Sequence, residues 1–201
     1  MNAFKIIDIT LIMGERIEVT LQKAQEADLV GIARIALGHY PNNFTNKGKH
    51  PLELVIDWIR SKYMAAENFV YTKLLVAKHD GDVVGYTWSE TIAAGYGNVD
   101  VREWGVKKEY EGRGIGGQLI NQTEAIWLKD HTTIFGQLAP LKSMKVYTGG
   151  DGVDLCERRS FRIDVTHANH YGPGLNEYVM RKDYYPDGRP TMTRTPEKGI
   201  Q

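Results

Sequence analysis

The sequence has almost no cysteine, no surplus of either charge and no long apolar run. Its single thiol, Cys156, excludes an intrachain disulfide framework and a cysteine-based zinc cluster. The 25 basic residues are matched by 25 acidic ones, so the formal net charge is zero. A balanced chain has no broad positive field to draw nucleic acid or an anionic membrane, and neither is expected as a partner. No apolar stretch is long enough to cross a bilayer as a helix. The opening MNAFKIIDITLIMGE lacks the basic leader and long apolar core of a signal peptide, and a soluble, cytoplasmic protein is expected. A hydrophobic content of 42% argues against global disorder, and 201 residues suit one domain with a substantial core.

What the chain does carry is a glycine cluster in a telling place, Tyr110-Glu111-Gly112-Arg113-Gly114-Ile115-Gly116-Gly117. Before it lies a β-type run, Asn98 to Val106. After it, Gln118 to Leu128 carries Leu119, Ile120, Ile126 and Trp127 at close to helical spacing. The glycines therefore sit between a strand and the first turn of a helix. The first amides of a helix have no internal acceptor, and the helix dipole adds partial positive charge there. Missing Cβ atoms let a phosphate approach those donors, and Arg113 adds a planar cation suited to phosphate oxygens. The stretch reads as a cradle for a diphosphate.

A P-loop would close on Lys-Ser/Thr, whereas Gly116 is followed by Gly117 and Gln118, which excludes that reading. The dinucleotide fingerprint fits on letters through Gly112, Gly114 and Gly117. However, Lys107 to Glu111 separate the strand from the first glycine, and the site falls mid-chain. An oxidoreductase would also need an acidic residue ending a following parallel strand. Asp130 has about the right separation but follows a helical run. The run Glu111-Gly112-Arg113-Gly114-Ile115-Gly116 resembles the acyl-CoA signature Gln/Arg-x-x-Gly-x-Gly/Ala of the GNAT superfamily of N-acetyltransferases, with Glu111 in place of the first Gln or Arg.

The order of elements extends the resemblance. Phe4–Leu11 and Arg16–Leu21 read as strands around Met13-Gly14-Glu15. Ala27 to Leu37 reads as a helix, Gly38 to His50 as a loop, and Pro51 opens a second helix through Tyr63. Lys73–Lys78 and Val83–Ser89 form a hairpin around Asp80-Gly81. Lys129 to Leu141 has no assigned structure. Ser143–Thr148 reads as a strand, Gly149–Gly152 as a turn, and Arg162–Thr166 and Glu177–Lys182 as strands. Val153 to Phe161 is similar to the family's helix that ends in Leu-Tyr-Glu-Lys-x-Gly-Phe, here Leu155-Cys156-Glu157-Arg158-Arg159-Ser160-Phe161. The expected fold is α/β (α+β), a GNAT-like mixed, mostly antiparallel sheet flanked by helices. Residues 1–15 would be an added N-terminal strand, 16–183 the acyltransferase domain and 184–201 a flexible, proline-bearing tail.

The resemblance implies transfer of an acetyl group from acetyl-CoA to a primary amine, of a small molecule or a peptide, by direct attack in a ternary complex. It implies cofactor contacts from Trp104 and Val106 on the strand edge and from Glu111, Gly112, Arg113, Gly114, Ile115, Gly116 and Gly117. A backbone N–H near Val106 would polarise the thioester carbonyl. Asp100 matches the place of a catalytic Glu in some members; Glu103 has opposite parity and lies on the other face unless a bulge intervenes. Cys156 stands where the family's acidic Tyr does; it is a candidate proton donor, and as a small apolar residue it also suits a core. Tyr147 and Glu90 are further candidates. His167 and His170 form the only histidine cluster, without a recognisable third ligand, so no metal is expected. The alternative is a GNAT-like domain that binds acyl-CoA without turnover. The extra strands and tail could mediate a homodimer.

Overall fold

The computed structural model describes residues 5–10, 16–39, 51–64, 72–91, 97–130, 132–134, 137–185 and 187–191. The chain opens with antiparallel β1 (Lys5–Thr10) and β2 (Arg16–Lys23), as their apolar alternation predicts. A 3-10 turn, Glu26–Asp28, leads into α1 (Leu29–His39), and α2 (Pro51–Ile59) starts on its proline and continues as a π turn, Arg60–Met64. The hairpin β3 (Thr72–His79) and β4 (Asp82–Thr91) turns on Asp80 and Gly81 at φ 49° and 86°, the pair of left-handed residues that a tight primed turn requires. Next come β5 (Asn98–Val106), α3 (Ile115–Asp130), the short pair β6 (Thr132–Ile134) and β7 (Gln137–Ala139), β8 (Ser143–Thr148), α4 (Gly150–Glu157), β9 (Arg162–Gly172) and β10 (Leu175–Asp183).

Eight strands form one sheet in the order β1-β2-β3-β4-β5-β8-β10-β9, and only β5 and β8 run parallel. One face carries α1 and α2, whose Leu29, Ile32, Ala33 and Val55 pack with Val76, Tyr86 and Trp88. The other face carries α3 and α4, with Ile120 and Trp127 against Val99, Val101 and Met144, and Ile115 and Leu119 against Val84 and Val106. Buried polar contacts pin α3 to β4: Trp127 donates to the Ser89 hydroxyl at 2.8 Å, and Thr123 meets Thr87 at 3.0 Å.

Several local expectations change. Lys129–Leu141 resolves into the end of α3 and the β6–β7 pair. Gly149–Gly152 is not a turn but the cap and first turn of α4, despite glycine's poor helix propensity. Packing supplies the reason: a Cβ on Gly152 would meet the Thr148 side chain and, at 2.8 Å, the Trp104 ring. β9 runs on to Gly172, so His167 and His170 lie within a strand rather than in a connection. Tyr184, where a flexible tail was expected to begin, is 6% exposed, sits in the α3–α4 core and bridges to Pro190. Residues 192–201 lie outside the described residues, as does most of the expected loop at 38–50.

The register of β5 matters most for the site. Trp88 pairs with Glu103 and Ser89 with Val101, so Arg102 is an extra residue in β5. This bulge reverses the parity beyond it. Glu90, paired with Asp100, and Trp88, paired with Glu103, are two apart on a stretch of β4 that pairs regularly with β3. Asp100 and Glu103 therefore lie on the same face, that of α1 and α2.

Candidate functional site

β5 parts from β8 midway along its length, well before the glycine loop. Its parallel pairing with β8 covers Asn98–Val101 against Ser143–Val146, and the next five residues of β5 have no strand partner on that side among the described residues. The two strands diverge there into a wedge. Lys107 donates its amide to Val84 on β4 at 2.9 Å. Amides alternate in direction along an antiparallel strand, so those of Val106 and Trp104 point away from β4, into the wedge. Trp104 forms its floor: the indole donates to the Tyr147 carbonyl at 3.2 Å, and the ring packs where a Cβ on Gly116 would stand 2.9 Å away.

At the wedge's mouth a 3-10 turn, Lys108–Tyr110, leads into the glycines. Gly112 and Gly114 adopt φ 73° and 84° on either side of Arg113, and the space beside each is open. These left-handed positions turn the chain into α3 without a side chain over its N-terminus. Gln118 donates to Gly114 at 3.1 Å, so the amides of 115–117 precede the first intrahelical bond. The result is a run of open helix-start amides beside a strand edge whose inward amides have no partner among the described residues. A cavity of about 1240 Å³ joins the two, lined by Trp104, Val106, Glu111, Gly112, Gly114 and Gly116 among others. Ile115 also lines it, and its side chain is buried in the core.

Two predicted cradle residues stand elsewhere. Arg113 does not line the cavity; its guanidinium carbon lies 5.1 Å from the centroid of the Tyr110 ring. Gly117 is covered by Arg159, which donates to the Gly117 carbonyl and to Asn121 at 3.1 Å and to the Leu155 carbonyl at 3.0 Å. The Glu111 amide is already donated to Lys108 at 3.2 Å, and its carboxylate stands 4.0 Å from His39. The cations that do line the cavity are Arg158 and Arg159 at the end of α4, which the sequence reading left without a role.

The candidate acids and bases differ sharply in setting. Glu103 accepts from the Tyr86 hydroxyl at 3.3 Å, and burial pushes its carboxyl from 4.5 up to about 7. Asp100 is fully buried; Tyr147 donates to one of its oxygens at 3.0 Å, Arg102 stands 3.3 Å from the same oxygen, and the other has no partner among the described residues. Burial raises the Asp100 carboxyl, against the pull of Arg102 and Tyr147. Burial, then the Asp100 charge, lifts the Tyr147 phenol to about 12. Cys156 has no exposed surface, sits in the α3–α4 core outside the cavity lining, and its thiol is pushed by burial to about 12. Glu90 is bound to Arg102 at 2.8 Å.

One cavity residue had no sequence signal. His39, the last residue of α1, places Nε2 2.9 Å from the Val106 carbonyl and packs against Gly105, where a Cβ would meet its ring at 2.9 Å. A carbonyl only accepts, so Nε2 carries the hydrogen in this contact. A lone histidine at a helix end has no distinguishing spacing; only the sheet brings it to β5.

A sequence profile described as Acetyltransferase (GNAT) family matches residues 39–147, more than half of the chain. The chain belongs to the GNAT family. The profile spans β5, the glycine loop and the start of α3, which form one side of the cavity; α4 and the β9–β10 hairpin, which form the other, lie beyond it. No curated protein matches the sequence significantly. Solved structures share the GNAT fold. An N-acetyltransferase from Staphylococcus aureus Mu50 superposes with a TM-score of 0.64 at 16% identity, covering 82% of this chain and 98% of that one. The ribosomal-protein-S5-alanine acetyltransferase from Vibrio fischeri gives 0.62 at 14% identity, covering 82% and 92%. The yncA protein of Salmonella typhimurium, solved with its cofactor acetyl-CoA, gives 0.60 at 16% identity, covering 90% and 98%. At such identities the likeness is one of fold. The dinucleotide reading fails on topology: Asp130 ends α3, and the strand parallel to β5 ends at Thr148.

Proposed function

We propose that this GNAT domain transfers an acetyl group from acetyl-CoA to a primary amine by direct attack. The observation that carries the reading is the junction of the open wedge at β5 with the glycine turn at the start of α3. A diphosphate fits the amides of Ile115 and Gly116, and Arg158 and Arg159 supply cations from the facing helix end. The inward amides of Trp104 and Val106 suit an extended amide-bearing arm, and Val106 N–H is the donor for the thioester carbonyl. Acetyl-CoA, when bound, supplies an acetyl group activated by its thiol leaving group. The amine nitrogen bonds to the acetyl carbon, the carbon–sulfur bond breaks, and the amine gives up a proton.

Glu103 is the carboxylate suited to take that proton, relayed by water because its side chain does not line the cavity. A base works best when its affinity for a proton lies near the working pH, and a carboxyl at about 7 meets that condition. Asp100, held by Tyr147 and Arg102, positions the β5–β8 junction instead. His39 holds the Val106 carbonyl and so fixes the strand edge. Cys156 belongs to the core, and thiolate takes its proton from solvent.

Calorimetric titration with acetyl-CoA, CoA and NADH, followed by thiol release with a panel of amines, tests this. Saturable acetyl-CoA binding and amine-dependent thiol release are expected. Arg158→Glu should weaken acetyl-CoA about tenfold, and more at low salt. Binding without release across the panel would favour an acyl-CoA-binding domain without turnover. NADH binding in place of acetyl-CoA would overturn the proposal.

A further inference from the structure

The β9–β10 hairpin gathers three metal-ligating side chains that the linear sequence separates. His167 pairs directly with Glu177 across the hairpin, and its Nδ1 lies 2.8 Å from Glu177 Oε2. His170 is three residues from His167 and would point to the opposite face of a regular strand. The hairpin is not regular there. Its register jumps between Leu175–Gly172 and Glu177–His167, with Asn169 at φ 57° in the extra length of β9. That irregularity returns His170 to the same side, with Nε2 3.8 Å from Glu177 Oε1. One ligand atom from each of the three lies within 4.8 Å of the others. Glu177 thus supplies the third ligand that the sequence did not reveal.

We propose that His167, His170 and Glu177 bind a first-row divalent metal ion, zinc by the nature of the ligands, at the rim of the cavity. Two imidazoles and a carboxylate form a ligand set that zinc accepts while keeping a further position open. Bonds of about 2.1 Å put tetrahedral ligand atoms about 3.4 Å apart. Small side-chain rotations close the present spacing, and both imidazoles, at 46% and 50% exposure, are free to make them. The carboxylate is already fixed: Glu177 is 8% exposed, and Tyr171 donates to its Oε1 at 2.9 Å. Such outer hydrogen bonds orient a ligating carboxylate. The backbone is braced as well, because Asn169 donates its amide to the Asn176 side chain at 3.0 Å and accepts from the Gly174 amide at 2.7 Å. His170, Tyr171 and Asn176 line the cavity, so the ion stands beside whatever occupies it.

The test uses the full chain without a histidine tag. Zinc titrated by calorimetry should bind at one equivalent, and cobalt(II) should develop the visible d–d absorption of a low-coordinate site. His170→Ala should weaken zinc at least about 100-fold, and Tyr171→Phe about 10- to 100-fold. His170 is half exposed, so its loss leaves the fold intact, which circular dichroism checks. Absence of one-equivalent binding, or binding that His170→Ala leaves unchanged, would overturn the proposal and reduce the cluster to a hairpin ion pair. Neither result depends on acetyl-CoA, so the metal site stands or falls separately from acetyl transfer.

Discussion

Replacing Glu103 with Gln tests both the energetics and the chemistry of the site. The carboxyl rises from 4.5 to about 7 in the folded protein because burial disfavours its charge. Below pH 4.5 it is protonated whether the chain is folded or not, and it has no effect on stability. Between 4.5 and 7 the unfolded chain loses its proton first, so stability falls as pH rises. Above 7 both states are ionised and the penalty stays constant. At 1.36 kcal/mol per pH unit, that penalty is about 3 kcal/mol. Gln is neutral throughout and keeps an acceptor for Tyr86, so Glu103→Gln should match the wild type near pH 4.5 and exceed it by about 3 kcal/mol at pH 8. Urea denaturation across this range, compared between the two proteins, cancels every other titrating group. A difference that does not change with pH would refute the buried-carboxyl argument. Kinetics supplies an independent reading. Wild-type kcat/KM should rise through an apparent pKa near 7, and the variant should lose this limb with a drop of about 100- to 1,000-fold. A variant that gains the stability but keeps full activity would leave Glu103 buried and remove it from the proton transfer.

Two other positions give simpler outcomes. Ser160 holds φ 64° where the resembling motif has Gly, and Ser160→Gly should relieve that conformation, partly offset by unfolded-chain entropy, for a net gain of about 1 kcal/mol in urea melts. A loss of stability would show that the serine hydroxyl is needed locally. Cys156→Ala should cost about 1–2 kcal/mol of stability through lost packing while kcat stays within about twofold. A tenfold fall in kcat with little change in stability would make the thiol a proton donor after all.

Local patterns carried much of this protein. The helical spacing after Gly117, the Asp80-Gly81 turn, the proline opening α2 and the glycines at 112 and 114 each act through the conformations available to a few neighbouring residues. Those preferences are written in consecutive letters, and they were enough to yield most of the order of elements and the family resemblance. The chemistry of the site was decided elsewhere. One extra residue in β5, visible only in its register against β4, puts Glu103 on the same face as Asp100, where it is half-buried and its carboxyl is raised. Another irregularity, between β9 and β10, brings Glu177 and His170 to His167. Arg159 over Gly117, His39 against Val106 and Cys156 in the core are contacts between elements far apart in the chain. A side chain's burial, charge state and partners depend on what the sheet folds against it, and periodicity along one segment contains no record of its register with the next.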